Sequence, residues 1–336
     1  MTAANWDLLG HEWAVDMLRQ NIIHDNLRHA YLITGPPGVG RRTLALRFAQ
    51  ALNCPQPPEA GEACRTCRTC KQIEAMQYAD LTVVQAEKEG GVMKVEQVRQ
   101  VQHSTVLKPY QGNYRVVLFL RFQEANPNAA NALLKTLEEA PAHVVLILTA
   151  DTPEQLLPTI VSRCELLRLR PLPPEQVAAY LQDRDVDVDI ARLVAHISGG
   201  RPGVALHASQ DDDALALRAS RLDDIPTLLA ATRQERFAYA EPLAKDKVLL
   251  RDTLLTWLAY WRDVFLCAGG AAAPLENIDR SAQIASLTAR LDMEAARKIV
   301  AALVQAIDRL EKNVNARLLT EVLLLDWPFI QVSEIN

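Results

Sequence analysis

Ala30-Tyr31-Leu32-Ile33-Thr34-Gly35-Pro36-Pro37-Gly38-Val39-Gly40-Arg41-Arg42-Thr43 runs from a short apolar stretch into a Gly/Pro-rich turn, and residues 42–52 continue with a helical pattern. Strand, glycine turn and helix in that order open a nucleotide-binding α/β unit. A working phosphate loop reads G-x-x-x-x-G-K-[ST]. Its backbone N–H groups cradle phosphates, its Lys reaches the β- and γ-phosphates, and its hydroxyl holds Mg2+. Gly35 and Gly40 keep that spacing, with Gly38 between them, but Arg41 fills the Lys slot and Arg42 the hydroxyl slot. Thr43 comes one residue late and, on a helix, points about 100° away from the metal position. Arg41 keeps the charge without the compact ammonium, and Arg42 has no lone pair for a cation. The residues a nucleotide would touch are Gly35, Gly38, Gly40, Arg41, Arg42 and Thr43. A backbone cradle at a helix N-terminus still attracts anions, so weak nucleotide binding and a bare scaffold both stay open. Hydrolysis is not expected.

Outward from the turn, residues 8–26 read as a helix with Trp13, Ala14, Met17, Leu18 and Ile22 at helical spacing. Residues 81–85, 116–120 and 144–149 read as strands apolar enough for a covered parallel sheet. Residues 128–139 read as a helix stopped by Pro141. This alternation predicts a doubly wound α/β domain over 1–169. Pro171, Pro173 and Pro174 mark a boundary. A small helical unit over 170–208 closes with Gly199, Gly200, Pro202 and Gly203, and an all-helical region follows over 209–336. The acidic run at 211–213 is read as a solvated turn.

Residues 53–70 read as a loop carrying Cys54, Cys64, Cys67 and Cys70, spaced C-x9-C-x2-C-x2-C. Four thiolates in that pattern match a closed tetrahedral zinc site with no position left for catalysis. Arg65, Thr66, Arg68 and Thr69 lie between the ligands, placed to donate to the sulfurs or to face a partner. Cys164 and Cys267 stand alone and are read as packed thiols. The chain has 336 residues, more than one compact core accommodates. Its formal net charge is −5, against a protein that lives by neutralising phosphates. No apolar stretch approaches the roughly 20 residues that a bilayer needs. MTAANWDLLG lacks the basic and apolar regions of a signal peptide. A cytoplasmic protein is expected, where clustered cysteines argue for metal rather than disulfides.

Several longer stretches carry a resemblance. They are Leu9-Gly10-His11, His29-Ala30-Tyr31-Leu32, the four-cysteine loop, Asn128-Ala129-Ala130-Asn131-Ala132-Leu133-Leu134-Lys135-Thr136-Leu137-Glu138-Glu139-Ala140-Pro141, Ser162-Arg163-Cys164, and Asn313-Val314-Asn315-Ala316-Arg317-Leu318-Leu319-Thr320-Glu321. Over almost its whole length the chain resembles the AAA+ clamp-loader family, and within it the delta-prime subunits of bacterial DNA polymerase III. The resemblance implies an α/β AAA+ domain with an inserted four-cysteine zinc loop, a small helical lid and an all-α collar domain joining a pentamer. It also implies a subunit of the polymerase holoenzyme with no ATPase of its own. Motor (gamma/tau) and delta subunits would be its partners. The sliding clamp and primer-template DNA would be met through the assembled complex, with no membrane involved. The family's Ser-Arg-Cys arginine enters a neighbour's ATP site, a role that falls here on Arg163. Family ATPases end the strand after the phosphate-loop helix in Asp-Glu, and the matching positions here are Leu120 and Arg121, with Glu124 the nearest carboxylate. Thr149 falls where the fold keeps a polar sensor residue. The lid's sensor arginine falls on Gly203, with Arg201 nearby. Glu138 and Glu139 are adjacent on a helix and do not face each other, so they are read as surface.

Two rival readings are set aside on residues. An active gamma/tau-like motor needs Lys at 41, a hydroxyl at 42 and acids at 120 and 121, none of which is present. A zinc-dependent DNA-binding module calls for a basic cluster interleaved with aromatics, which the sequence lacks.

Overall fold

The computed structural model describes residues 6–88, 90–312 and 314–330, with the side chains of His103 and Glu311 outside that description. Asn313, quoted above, and residues 1–5 of the N-terminal stretch also lie outside it. The chain divides into two units. One comprises the residues up to Pro173 together with Arg201–Val204, and the other comprises Pro174–Gly200 and the residues from Ala205 onward.

In the first unit, β1 (Ala30–Thr34), β2 (Leu81–Val84), β3 (Arg115–Phe119), β4 (Val144–Ala150) and β5 (Glu165–Arg168) form one sheet in the order β2-β3-β4-β1-β5. Every neighbouring pair is parallel. β1, β3 and β4 are buried along their whole length. Their side chains alternate between two cores, as the period of a strand requires. Tyr31, Ile33, Val116, Leu118, Val145 and Ile147 point to one core. Ala30, Leu32, Val117, Phe119, Leu146 and Leu148 point to the other. A sheet that is apolar on both faces must be covered on both, and the helices do so. α1 (Glu12–Ile23) and α2 (Arg41–Asn53) supply Leu18, Leu44 and Phe48 to the first core. α3 (Arg68–Glu74) adds Ile73 to that side. α4 (Val95–Thr105), α5 (Pro127–Glu139) and the one-turn α6 (Pro158–Val161) supply Val98, Leu133 and Ile160 to the second.

Differences from the sequence reading have local causes. α1 is shorter than 8–26 because His11 takes the left-handed conformation at its N-cap, with φ 60°. The cysteine loop is not irregular to its end, since Cys67 caps α3 by accepting from the Cys70 N–H. β5 is not predicted by the apolar pattern; it is an edge strand of four residues with a charge at each end.

The second unit is helical. Its elements are α7 (Pro174–Gln182), α8 (Val188–Ile197), α9 (Pro202–Ala208), α10 (Asp212–Ala230), α11 (Arg233–Leu243), α12 (Lys247–Ala268), α13 (Ser281–Thr288), α14 (Met293–Glu311) and α15 (Ala316–Leu325). The first residues of α9 belong to the other unit. Asp211 is the N-cap of α10, accepting from the Ala214 N–H, and Asp212 and Asp213 occupy its first turn. The acidic run is therefore a helix start favoured by the dipole. Trp327 packs edge-on against Trp257 and Trp261, with ring centres 5.1 and 5.4 Å away. Buried Arg236 donates to five carbonyl oxygens, those of Leu228, Leu229, Leu324, Trp327 and Pro328. Its planar fork thus ties the end of α15 and the residues after it to the last turn of α10. Among the described residues, no helix is long and apolar enough to cross a membrane.

Candidate functional site

The glycine turn between β1 and α2 keeps the glycine spacing of a phosphate loop, but its Gly35 N–H and Arg41 side chain are turned inward. Gly38 and Gly40 hold φ of 84° and 112°, values that favour glycine. The Gly35 N–H donates to the carbonyls of Ala150 and Asp151 rather than outward. Arg41, 8 % exposed, donates from Nη1 to Asp151 Oδ1 at 2.6 Å. Arg42 is exposed and Thr43 half-buried, one step further round α2. The Gly203 N–H donates to the Gly38 carbonyl at 2.9 Å. A Cβ on Gly38 would stand 2.5 Å from Val204 Cγ2. A Cβ on Gly203 would stand 3.0 Å from the Gly38 carbonyl oxygen. Gly203, where the resemblance would put the lid's sensor arginine, is thus packed against the loop. His11 is buried beside the same turn. Burial depresses its pKa, opposed by a hydrogen bond to the Val39 carbonyl.

Among the described residues, β3 carries no carboxylate of its own, and the nearest, Glu124, is committed at Oε1 while its buried Oε2 has no hydrogen-bond partner. Leu120 is buried. Arg121 has φ 50°, and its N–H donates to Thr149 Oγ1 at 2.9 Å. The Thr149 hydroxyl donates in turn to the Phe119 carbonyl. The Arg121 Nε donates to Glu124 Oε1 at 2.8 Å, and that oxygen also accepts from the Gly90 N–H. Glu124 lies in a 3-10 turn, Phe122–Glu124. The nearest carboxylate is already held by a guanidinium and a backbone amide.

Arg163 follows α6, whose start is favoured by Pro158 in its first turn. Ile160 anchors that turn in the core, and the Arg163 N–H donates to the Ile160 carbonyl. The Arg163 side chain reaches the surface and is 37 % exposed. Its Nη1 donates to the Thr159 carbonyl at 3.0 Å, and its Nη2 donates to Glu138 Oε1 at 2.6 Å. Ser162 Oγ donates to the same Thr159 carbonyl. Cys164 packs against the second core, and burial pushes its thiol up to about 12, so it is an inert packing group.

Cys54, Cys64, Cys67 and Cys70 bring their sulfurs within 4.8 Å of one another. The Cys54–Cys64 separation is 3.5 Å and the Cys64–Cys70 separation 4.0 Å. A tetrahedron of thiolates at about 2.3 Å from a zinc ion has sulfurs about 3.8 Å apart. The donor set therefore fits one such ion. Backbone amides are turned on the sulfurs: Cys64 N–H donates to Cys54, Cys67 N–H to Cys64, and Cys70 N–H to Cys67. Burial pushes the Cys54 and Cys70 thiols up. At Cys64 burial also raises the pKa, but donors from Cys67 and Thr66 outweigh it and bring the thiol down to about 6. Of the residues between the ligands, Arg65 instead pairs with Asp7 at 3.4 Å. The module is fastened to α2: the fully buried Gln50 donates to the Cys70 carbonyl and to Glu74, which Arg47 also pairs. The partners Asp151, Glu138 and Gln50 were invisible in the sequence, because each lies 20 or more residues from the group it holds.

Comparison with known proteins adds relatives to this geometry. The family model described as "DNA polymerase III, delta subunit" matches residues 10–173, and "DNA polymerase III, delta subunit, C terminal" matches residues 212–328. The chain is 29 % identical over 313 residues to the DNA polymerase III subunit delta' of Bacillus subtilis, covering 92 % of this chain and 93 % of that one. It is 37 % identical over 179 residues to the subunit delta' of Pseudomonas aeruginosa, covering 52 % of this chain and 53 % of the relative. It is 35 % identical over 175 residues to the DNA polymerase III subunit tau/gamma of Haemophilus influenzae, covering 52 % of this chain and 25 % of the relative.

Proposed function

The chain belongs to the DNA polymerase III delta-subunit family as a delta-prime clamp-loader subunit, and from that premise we propose how it works: it hydrolyses no ATP and lends Arg163 to the ATP site of a neighbouring motor subunit. The observation that carries this reading is the ion pair between Arg41 and Asp151. To reach a phosphate, buried Arg41 would have to abandon a half-buried partner and leave Asp151 unpaired beside the incoming charge, a costly exchange. Mg2+ would find Leu120 and the Arg121 guanidinium where phosphoryl transfer needs carboxylates. Both deficits remove hydrolysis, and neither affects a guanidinium offered outward. An arginine placed on a neighbour's γ-phosphate offsets the charge of the transition state and is worth on the order of 10³–10⁵ in rate at that site. α6 fixes the backbone from which Arg163 reaches.

In this reading residues 1–169 form the AAA+ module, 170–208 the lid and 209–336 the collar. Gamma/tau and delta subunits are the direct partners, with the clamp and primed DNA met through the complex in the cytoplasm. Cys54, Cys64, Cys67 and Cys70 would hold a structural Zn2+ that cross-links the 54–70 segment and has no open position for chemistry. Apolar residues on the outward face of α15, Leu318, Val322 and Leu325, are read as the collar contact.

The test is ATP turnover by a reconstituted clamp loader carrying Arg163→Ala, beside wild type and the isolated subunit. The isolated subunit should be silent, and the variant complex should turn over ATP at least several-fold more slowly. Turnover by the isolated subunit, or an unchanged rate in the variant complex, would overturn the reading.

A further inference from the structure

Glu138 has no part in a nucleotide site as read so far, yet it holds the one group proposed to act on a neighbour. Its carboxylate accepts from Arg163 Nη2 at 2.6 Å, while the Thr159 carbonyl accepts from Nη1 at 3.0 Å. The two acceptors come from different elements, α5 and α6, so the guanidinium is bridged between them rather than swinging free. Both partners of the ion pair are well exposed, at 37 % and 51 %. This combination of short geometry and open surroundings is informative. A buried pair would not release its arginine, and an unpaired arginine would have to order a flexible side chain on meeting a phosphate.

We propose that Glu138 is a positioning residue: its carboxylate is an exchangeable counter-ion that parks Arg163 until a neighbour's phosphate displaces it. The inference rests on the reading of Arg163 given above. Phosphate oxygens and a carboxylate compete for the same planar fork. An exposed ion pair shifts an equilibrium by roughly five-fold at most, and a γ-phosphate carries more negative charge than a single carboxylate, so it attracts the guanidinium more strongly. The exchange therefore runs toward the phosphate when nucleotide is present and back to Glu138 when it is gone. Parking adds a small penalty to closing the site and none to the transition state, where Arg163 has already left.

That asymmetry fixes the kinetic signature. In the reconstituted clamp loader with primed DNA and ATP, Glu138→Gln should lower the KM for ATP about two- to five-fold while kcat stays within error of wild type. Glu138→Asp, which keeps the charge on a shorter arm, should return KM toward the wild-type value. High salt, which weakens the exposed pair, should narrow the difference between wild type and Glu138→Gln. A fall in kcat at unchanged KM would mean that Glu138 pre-orders the arginine for catalysis and does not compete with phosphate, and the exchange would be rejected. Unchanged KM and kcat would mark the pair as an idle surface contact and also reject it. Arg163→Ala assayed alongside separates the two levels: if it has no effect, the trans-acting arginine itself fails, whereas if it slows turnover and the Glu138 variants change nothing, only the counter-ion role fails.

Discussion

Asp80 is completely buried just before β2, and its oxygens accept from the backbone N–H groups of Tyr110, Gln111 and Gly112 at 2.6, 2.7 and 2.9 Å. Arg115 stands 3.5 Å away. Burial alone would raise this carboxyl's pKa, but the three amides and the guanidinium outweigh it and hold it below the ordinary value. Because the folded value lies below the unfolded one, about 3.9, the associated stabilisation is complete at pH above that. It is lost as pH falls from there through the folded value. An amide at this position keeps one acceptor oxygen but turns an N–H2 toward the same donors. Asp80→Asn should therefore cost about 1–3 kcal/mol at pH 7, and its deficit relative to wild type should shrink below pH ~4. Urea titrations of both proteins at pH 7 and pH 3.5 measure this, and a deficit independent of pH would show that the charge is not what holds the loop. Neither this cluster nor the Arg41 pair could be read from the sequence. What the sequence does disclose at this scale is substitution: Arg at 41 and 42, Leu at 120 and Arg at 121 stand where a working site is expected to carry Lys, a hydroxyl and two carboxylates. Where Arg41 goes instead depends on a contact spanning 110 residues.

At the scale of elements, the strands with the strongest apolar runs were legible and the weak ones were not. β1, β3 and β4 are buried on both faces, so their sequences have no polar alternation to obscure them. β5 offers only Leu166 and Leu167 between charges, and its existence depends on pairing with β1. α4 escaped for a similar reason, since Val98 and Val101 are the buried apolar positions of an otherwise polar stretch. The cysteine spacing was legible because four sulfurs that gather at one point come from closely spaced positions of one short segment. The docking of α3 on α2 was not, because Gln50 and Arg47 carry no motif. That docking sets the consequence of removing the metal. Without an ion, four thiols crowd at van der Waals distance, and the segment keeps the Gln50 and Arg47 contacts with α3, the Arg19–Glu62 and Arg65–Asp7 pairs and the Trp6 Nε1 bond to the Gly61 carbonyl, none of which ties the cysteines to one another. Chelation of the purified protein should release one zinc per chain and render the peptide bonds between Cys54 and Cys70 at least about ten-fold more susceptible to limited proteolysis. The sheet, with its two separate cores, should keep its far-ultraviolet dichroism. Mass spectrometry of the native and chelated protein gives the stoichiometry, and a native protein without metal would remove the zinc assignment. Loss of the whole fold on chelation would instead mean that the module nucleates the domain.

For the molecule as a whole, net charge and surface point to protein partners more than to direct phosphate binding. A chain of net charge −5 has little counterion release to offer DNA by itself, which fits the proposed work within an assembly. α15 carries the most economical evidence of that. Its Leu319, Leu323 and Leu324 are buried in the helical core, whereas Leu318, Val322 and Leu325 are 57, 47 and 38 % exposed. Positions i, i+4 and i+7 lie on one face of a helix, so the exposed residues form a stripe rather than scattered singles. Val314 and Phe329, 42 and 63 % exposed, flank the helix and add apolar surface. A contiguous apolar face of this kind is what the proposed collar contact calls for. The double substitution Leu318→Asp and Val322→Asp leaves the buried face untouched, so the thermal midpoint of the isolated chain should move by no more than about 2–4 °C. In the assembly the same carboxylates would be taken out of water without partners, at a cost of several kcal/mol. Each 1.4 kcal/mol is about a factor of ten, so affinity for the motor and delta subunits should fall by about a hundred-fold or more in sedimentation or size-exclusion titrations. Assembly at wild-type affinity would place the collar contact on another face of the helical unit, and a collapse of the thermal midpoint would show that the stripe serves the chain's own fold.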